Sequence, residues 1–166
     1  MKITPIRCLC FVVAVIAMQA VSPVVNGQRG NFDNVEITTT QLDDNLYYLQ
    51  GQGGQIGVLA GPDGVLMVDT QFAPLTDRIV AAIREISTEP IKFALNTHVH
   101  GDHSGGNSNL AAMGVTVMTR DELRAGLVGS ANPPERLPMV TYGGSVTFHM
   151  NGEIPRAIPV PVAHTN

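Results

Sequence analysis

The stretch that decides the fold is residues 96–107, which read NTHVHGDHSGGN. It places three histidines and an aspartate within six residues. Residues two apart in an extended chain point to the same side, so His98 and His100 are predicted to converge on one point, and Asp102 joins them if the extended path continues. His103, one residue later, is predicted to point away and to serve a neighbouring site.

This combination of side chains is typical of a metal site. Imidazoles together with a carboxylate suit Zn²⁺ or another borderline divalent metal, and no thiolate is needed. Gly101, Gly105 and Gly106 let the backbone bend tightly around a bound ion. A single histidine is more simply interpreted as a core or surface residue, but the cluster favours metal binding. A histidine-rich metal-sequestering segment is the alternative, and it does not explain the buried strand predicted just before the cluster.

The sequence before residue 70 predicts a β-meander, because short alternating or apolar segments are separated by glycine-rich turns. The predicted strands are 35–40, 46–49, 56–60 and 65–68. The last of these is a continuous apolar run, Val65–Val68, which suits a strand buried on both faces.

After residue 70, apolar residues at helical spacing alternate with short strands, which predicts an α/β layered fold. The predicted helices are 75–86, 107–113 and a segment that begins at the capping-box pattern 119–122 and ends near Gly129. The predicted strands between them are 91–96 and 115–118. Asn151-Gly152, between residues 145–150 and 154–160, predicts a β-hairpin.

Residues 1–27 have the form of a secretory signal peptide, with basic residues at Lys2 and Arg7, an apolar run and small residues at the end. An uncleaved N-terminal anchor is the alternative, although the run is short for a membrane span. Both cysteines, Cys8 and Cys10, lie in this leader, so the remainder has no disulfide and no cysteine metal ligand. The sequence therefore predicts a periplasmic or secreted protein with no stable membrane anchor after cleavage.

The composition fits one folded domain. The chain has 166 residues, of which 44% are hydrophobic and 14% are charged, and its formal net charge is −4. Such an apolar content excludes an intrinsically disordered chain. The acidic balance argues against a nucleic-acid partner, because phosphate contacts need clustered Lys and Arg. A small-molecule substrate is the expected partner.

The segment 96–107 resembles the metal-binding signature of the metallo-β-lactamase superfamily. The resemblance covers about residues 35–166: residues 46–51, 53–56 and 64–70 are similar to the opening strands of that family, and residues 163–166 resemble its next metal histidine. It implies an αββα sandwich with the metals between two sheets, and one or two Zn²⁺ ions as the cofactor.

The resemblance also implies a set of metal ligands. It assigns His98, His100 and His164 to one zinc site, and Asp102 and His103 to a second. Asp69, at the end of the strand 65–68, matches an acidic residue that supports the metal ligands; a carboxylate that caps a turn is the plain alternative. His149 matches no ligand and is expected to be structural.

The nucleophile of the family is a metal-bound water, so no serine or cysteine is required. Two cations lower the pKa of that water toward about 7 and polarise the substrate oxygen, and Asp102 is the candidate catalytic residue that holds the hydroxide for attack. The implied function is an exported zinc-dependent hydrolase of an ester- or amide-like bond. A β-lactam is one candidate substrate, with a lactone, a thioester or a phosphodiester as alternatives. The loop 51–55 is placed to cover the site.

Family members continue beyond the position that His164 matches, through a further metal ligand, several strands and helices and a final histidine. Residues 28–166 are therefore expected to be a partial domain of this fold, the N-terminal fragment of a longer sequence whose C-terminal part is missing. A naturally truncated or non-catalytic metal-binding protein of the same fold is the alternative.

Overall fold

The structure is a computed structural model that describes residues 31–130, 132–160 and 164. Its strands are β1 Thr38–Gln41, β2 Leu46–Gln50, β3 Gln55–Leu59, β4 Val65–Val68, β5 Ile91–Leu95, β6 Thr116–Arg120, β7 Val140–Tyr142, β8 Val146–Thr147 and β9 Arg156–Ala157. Its helices are α1 Thr76–Ile86, α2 Gly101–Ser104, α3 Asn107–Ala112 and α4 Asp121–Gly129.

Seven strands form one mixed sheet in which the order along the chain, β1 to β7, is also the order in space. The first four strands are antiparallel neighbours joined by short turns. From β4 to β7 the neighbours are parallel, because each connection contains at least one helix that returns the chain to the starting edge. The predicted α/β fold, a meander followed by alternating strands and helices, is confirmed.

Consecutive residues of the central strands are buried on opposite faces of this sheet. Val65 and Met67 of β4 belong to a core shared with α1 and α3, whereas Leu66 belongs to a second core shared with Phe148 and Met150. All three β4 residues are less than 5% exposed. The prediction of a strand buried on both faces is therefore confirmed, and the sheet has a helical layer on one side and the hairpin region on the other.

The hairpin predicted at Asn151-Gly152 is confirmed by the antiparallel pairing of β8 with β9. Both turn residues have positive φ, 57° at Asn151 and 78° at Gly152, as a two-residue hairpin turn requires. The Asn151 side chain also accepts a hydrogen bond from the Asp63 amide and donates one to the Gly64 carbonyl, each 2.8 Å long. These bonds fasten the hairpin to the β3–β4 turn, so that it covers the second core.

One sequence prediction differs from the structure, and one strand was not predicted. Thr119 does not cap α4: it is a fully buried residue of β6 that pairs with Thr141, and Arg120 occupies the N-cap position without a side-chain cap. The strand continues through the pattern that has the form of a capping box, so sheet pairing overrides the cap. Strand β7 was not predicted, because its three residues are mostly exposed and carry no apolar run.

Among the residues that the structure describes, no helix is both long and apolar enough to cross a membrane. The predicted signal peptide, residues 1–27, lies outside the described residues.

Candidate metal centre

The candidate site lies at the edge of the sheet where the parallel strands end. Asp69 directly follows β4, and the histidine segment follows β5. The carboxyl ends of parallel strands meet at one edge of a sheet, which is where open α/β folds bind their ligands. The backbone is still extended at His100 (φ −62°, ψ 151°), and α2 begins at the next residue, Gly101. Sheet topology thus brings the histidines beside Asp69.

Three histidines meet at this edge: His98, His100 and His164. Their ring centroids are 4.9 Å (98–100), 5.0 Å (100–164) and 5.4 Å (98–164) apart. One nitrogen from each ring lies within 4.8 Å of the others, so the group can hold a metal ion. Three imidazoles with a fourth position open are the ligand set of a catalytic zinc site. His149 is exposed and lies outside this group.

Asp102 and His103 form a second pair beside the three histidines. His103 Nε2 lies 3.4 Å from Asp102 Oδ2, and the His103 ring centroid lies 3.8 Å from that of His98. His103 therefore does not point away from His98, as the two-residue alternation predicted, because the alternation ends where α2 begins at Gly101. Because of this helical turn, Asp102 and His103, the predicted ligands of the second site, lie next to the three histidines of the first site.

Asp69 connects the strand β4 to both parts of the site. Its buried carboxylate, in a residue only 4% exposed, accepts hydrogen bonds from the Thr97 amide at 2.7 Å and the Thr97 hydroxyl at 2.8 Å. Its Oδ2 also lies 2.7 Å from His103 Nδ1. One carboxylate thus fixes the start of the histidine segment and the orientation of the His103 ring, as a carboxylate behind a metal-ligating histidine does.

A buried polar network, to which the sequence assigned no role, lies beneath the histidine loop. The Asn96 and Asn107 side chains exchange hydrogen bonds of 2.8 Å and 3.1 Å. The Asn96 amide and the Thr70 backbone N–H both donate to the His103 carbonyl, at 3.0 Å and 2.8 Å. Both asparagines are at most 2% exposed. The only sign of their role in the sequence was their position at the two ends of the histidine motif, residues 96–107. The network holds the backbone of His103 in place.

The glycine turn between β2 and β3 packs directly on the second pair. A Cβ added at Gly53 would lie 2.7 Å from the Asp102 Cβ, and one added at Gly54 would lie 2.5 Å from the His103 ring. The buried Gln71 side chain donates a hydrogen bond to the Gly54 carbonyl, which fastens the turn in this place. The loop predicted to cover the site therefore does so through its bare backbone.

Replacing Gly54 by Ala is expected to displace His103, which Asp69 holds from the opposite side. Overpacking of this kind costs about 1–3 kcal/mol in free energy of unfolding. Urea unfolding measures that loss, and zinc titration should show weaker binding of the ion assigned to the second pair. Gly129→Ala is the matched control, because a Cβ there meets nothing within 4 Å, and its stability should equal or exceed that of the unchanged chain. A Gly54→Ala protein with unchanged stability and zinc binding would contradict the close approach.

The pKa of His98 is lowered, chiefly by burial and next by the neighbouring imidazole of His103, while the Asp69 carboxylate acts in the opposite direction. An imidazole binds a metal only in its neutral form. The lowered pKa therefore keeps the His98 ring in its ligating form at neutral pH.

The same shift predicts how the stability of the metal-free protein depends on pH. Because the folded state lowers the His98 pKa, it holds fewer protons than the unfolded state between the lowered value and about 6.5. The contribution of His98 to stability is thus present above about pH 6.5 and is lost as the pH falls through the lowered value. Urea unfolding is measured in EDTA from pH 5 to 8. As the pH falls, the free energy of unfolding should decrease less for His98→Asn than for the unchanged chain. A steeper loss in the variant would contradict the sign of the shift.

A cavity of about 480 Å³ opens beside the histidines, with His98 and His164 in its wall. The rest of its wall comes from β4 to β7, from Leu123 of α4, and from Phe148 and the β9 region on the second-core side of the sheet. This cavity offers a bound molecule direct access to the candidate metal centre.

The comparisons with known proteins agree with this fold. Residues 50–115 match the family model described as the metallo-beta-lactamase superfamily. A metallo-beta-lactamase from Pontibacter korlensis shares the fold with a TM-score of 0.62 at 20% identity, over 72% of this chain and 58% of its own. The DIM-1 metallo-beta-lactamase shares the fold with a TM-score of 0.60 at 19% identity, over 71% of this chain and 56% of its own. The metallo-beta-lactamase FIM-1 from Pseudomonas aeruginosa, in its mono-zinc form, shares the fold with a TM-score of 0.58 at 18% identity, over 66% of this chain and 52% of its own. This chain thus spans a little over half of the length of each of these proteins.

Proposed function

We propose that this chain, whose residues 50–115 match the family model of the metallo-beta-lactamase superfamily, carries the metal site of a zinc-dependent hydrolase that cleaves an ester- or amide-like bond. The observation that carries the proposal is the group His98, His100 and His164, whose nitrogens lie within 4.8 Å of one another at the carboxyl edge of the parallel strands. A β-lactam is the leading candidate substrate, and a lactone, a thioester and a phosphodiester are the alternatives.

The residues present fit one or two Zn²⁺ ions. Three imidazoles without a thiolate form a suitable first ligand set. Two ligand atoms about 2.0–2.1 Å from one tetrahedral zinc ion are about 3.3–3.4 Å apart, and the distance between His103 Nε2 and Asp102 Oδ2 is 3.4 Å. Bound zinc supplies Lewis acidity, which lowers the pKa of a coordinated water to about 7 and polarises a carbonyl oxygen.

The side chains of the chain have separate tasks in this proposal. Asp102, whose side chain is 30% exposed, accepts a hydrogen bond from the attacking water and holds it toward the scissile bond. Asp69 accepts a hydrogen bond from the Nδ1–H of His103, so that Nε2 keeps its lone pair for a metal ion. The turn at Gly53 and Gly54 packs on this pair and excludes solvent from that side.

We also propose that the protein is exported to the periplasm or outside the cell. The support is the basic and then apolar pattern of residues 1–27. Sequencing of the N-terminus of protein expressed with its leader tests this: cleavage near Gly27 is expected, and an intact Met1 in the exported fraction would contradict it.

The central experiment measures zinc content and hydrolysis for the full chain. After reconstitution and removal of free metal, at least one zinc per chain is expected, together with turnover of a member of a β-lactam, lactone, thioester and phosphodiester panel that EDTA abolishes and zinc restores. Less than one zinc per chain would contradict the metal site. Zinc binding without turnover of any substrate would instead identify a non-catalytic metal-binding protein of this fold.

A further inference from the structure

Asn151 and Gly152, the turn residues of the β8–β9 hairpin, have no part in the proposed metal site. Asparagine is a chemically labile residue, because the backbone nitrogen of the next residue can attack its side-chain amide. Glycine in that next position favours the attack, since it has no Cβ to obstruct the nitrogen and its backbone reaches unusual conformations easily. The hairpin turn therefore contains a pair of residues with a reactivity of its own.

In the folded protein, the β3–β4 turn holds Asn151 in place. The side-chain Oδ1 accepts a hydrogen bond from the Asp63 amide, and Nδ2 donates one to the Gly64 carbonyl, each 2.8 Å long. The Asn151 backbone N–H donates to the Asp63 carboxylate at 2.6 Å, and its carbonyl accepts from the Asn45 side chain at 2.9 Å. The side-chain amide must leave both of its partners before it can turn toward the nitrogen of Gly152.

The β3–β4 turn is also shaped to receive this amide. A Cβ added at Gly61 would lie 2.7 Å from Asn151 Oδ1 and 2.8 Å from its Cγ, so the absence of a side chain at Gly61 permits the close approach. Asn151 is half-buried against this turn, whereas Gly152 is exposed to solvent. The amide is thus held by the fold, while the residue that would attack it is in contact with water.

We propose that Asn151 is a deamidation site that the docked hairpin protects, and that its reaction releases the hairpin from the β3–β4 turn. The backbone nitrogen of Gly152 loses its proton and bonds to Asn151 Cγ, the Cγ–Nδ2 bond breaks, and ammonia leaves with the proton. Water then opens the cyclic imide at either of its carbonyls, which gives aspartate or isoaspartate. Water is the only co-reactant, and the reaction is independent of the proposed hydrolase function.

Neither product fits the β3–β4 turn. In aspartate, an oxygen replaces Nδ2 and faces the Gly64 carbonyl, so that two acceptors meet where a donor and an acceptor met before. The new carboxylate also adds a negative charge beside the Asp63 carboxylate, which binds the backbone of the same residue. Isoaspartate lengthens the main chain within the turn and so disturbs the pairing of β8 with β9.

Release of the hairpin affects the second core and the cavity beside the histidines. Phe148 and Met150, which are 9% and 7% exposed, would lose their cover in the second core. Phe148 and residues 155–157 also line the cavity whose wall contains His98. Deamidation at the turn is therefore a covalent change that opens this wall irreversibly.

The first experiment measures the reaction in EDTA at pH 8, well below the unfolding temperature. The tryptic fragment 137–156 contains Asn151 and no other asparagine or glutamine, so its gain in mass on deamidation reports this residue alone. Asn151 should react at least about tenfold more slowly in the folded full chain than in a synthetic peptide of residues 147–156. A tenfold difference requires only about 1.4 kcal/mol of protection, and local opening of the hairpin sets the rate in the chain.

Variants of the β3–β4 turn test the origin of the protection. Asp63→Ala, which removes the acceptor of the Asn151 backbone N–H, should speed deamidation in the chain roughly tenfold, the effect of about 1.4 kcal/mol. Asp77→Ala is the matched control, because it removes an exposed aspartate from α1, on the other side of the sheet. The rate in this control should stay within about twofold of that in the unchanged chain.

Equal rates in the chain and the peptide, or in Asp63→Ala and the unchanged chain, would overturn the protection. Urea unfolding checks that each variant is folded. If Asp63→Ala does not fold, Asn45→Ala serves, since it removes the donor to the Asn151 carbonyl: faster deamidation supports the protection, and an unchanged rate overturns it.

The second experiment tests the release of the hairpin with Asn151→Asp, which has the side chain of the aspartate product. The Phe148 and Met150 amides donate across the hairpin to Pro155 and Glu153, and their hydrogen exchange should become at least about tenfold faster, whereas exchange in β5 should change less than about threefold. Asn151→Gly is the reference, because it keeps the turn backbone but adds no charge, and its effect should be smaller. Unchanged exchange in Asn151→Asp, or an equal effect in both variants, would overturn the release by the new carboxylate.

Discussion

An alanine at His100 is expected to lower the zinc affinity of the chain about a hundredfold or more, and to remove any hydrolytic activity with it. His100 supplies one of three imidazole nitrogens that lie within 4.8 Å of one another. Structural zinc sites with four ligands bind with apparent free energies of about 10–16 kcal/mol, which is roughly 3 kcal/mol per ligand. Since about 1.4 kcal/mol corresponds to a factor of ten, the loss of one ligand is a loss of at least two orders of magnitude.

The fold should survive this substitution, because His100 is exposed and exposed positions usually change stability by less than about 0.5 kcal/mol. Titration against a chromophoric zinc chelator gives the affinity, and urea unfolding of the metal-free protein gives the stability. His149→Ala is the matched control, since it removes another exposed histidine, one that lies outside the cluster. Unchanged affinity in His100→Ala, or an equal loss in both variants, would contradict the three-histidine site.

The fold could be predicted where one local pattern decides the structure. The apolar run of β4 requires burial on both faces, and the structure has a core on each side of it. Asn151-Gly152 requires a tight hairpin, and both residues adopt the positive φ of such a turn. Thr119 shows the limit: its local pattern favours a helix cap, but pairing with β7 keeps it in the sheet. No pattern within residues 140–142 reveals that a neighbouring strand is present to pair with them.

The candidate site also contains some contacts that a local pattern predicts and others that depend on long-range packing. The spacing of His98 and His100 predicts that they lie together, because the chain is extended between them. His164 is far away along the chain, and only the family resemblance placed it beside them; the ring distances of 5.0 Å and 5.4 Å agree with that placement. The contact of Gly54 with His103 depends on how the β2–β3 turn packs against α2. Neither segment contains a pattern that specifies this contact.

Asp69 follows β4 and binds both Thr97 and His103. Replacing Asp69 by Asn is expected to weaken metal binding while leaving the stability of the fold nearly unchanged. A carboxylate only accepts hydrogen bonds, so the 2.7 Å contact with His103 Nδ1 places the ring proton on Nδ1 and leaves the lone pair on Nε2. In the variant, the amide oxygen still accepts from the Thr97 N–H, and the amide nitrogen then faces His103. That nitrogen donates to Nδ1, moves the ring proton to Nε2 and blocks the atom that faces Asp102.

The variant should therefore bind the zinc ion assigned to Asp102 and His103 about 10–100-fold more weakly, the usual effect of losing a carboxylate behind a ligating histidine. The ion assigned to the three histidines should bind within threefold of its original affinity. Stability should change little, since asparagine tolerates the positive φ of 69° at this position. Long-range ¹⁵N–¹H NMR of the metal-free protein should show His103 changing from the Nδ1–H to the Nε2–H tautomer.

Asp69→Ala supplies the contrast that makes this result interpretable. Alanine removes every acceptor for Thr97 and His103 and is strained at this backbone angle, so a loss of about 3–5 kcal/mol in free energy of unfolding is expected. If Asp69 served only to cap a turn, Asn would keep most of that role and both zinc ions would bind normally in Asp69→Asn. A weakened second ion in a stable Asp69→Asn protein, with the tautomer changed, is explained only by a carboxylate that acts through His103.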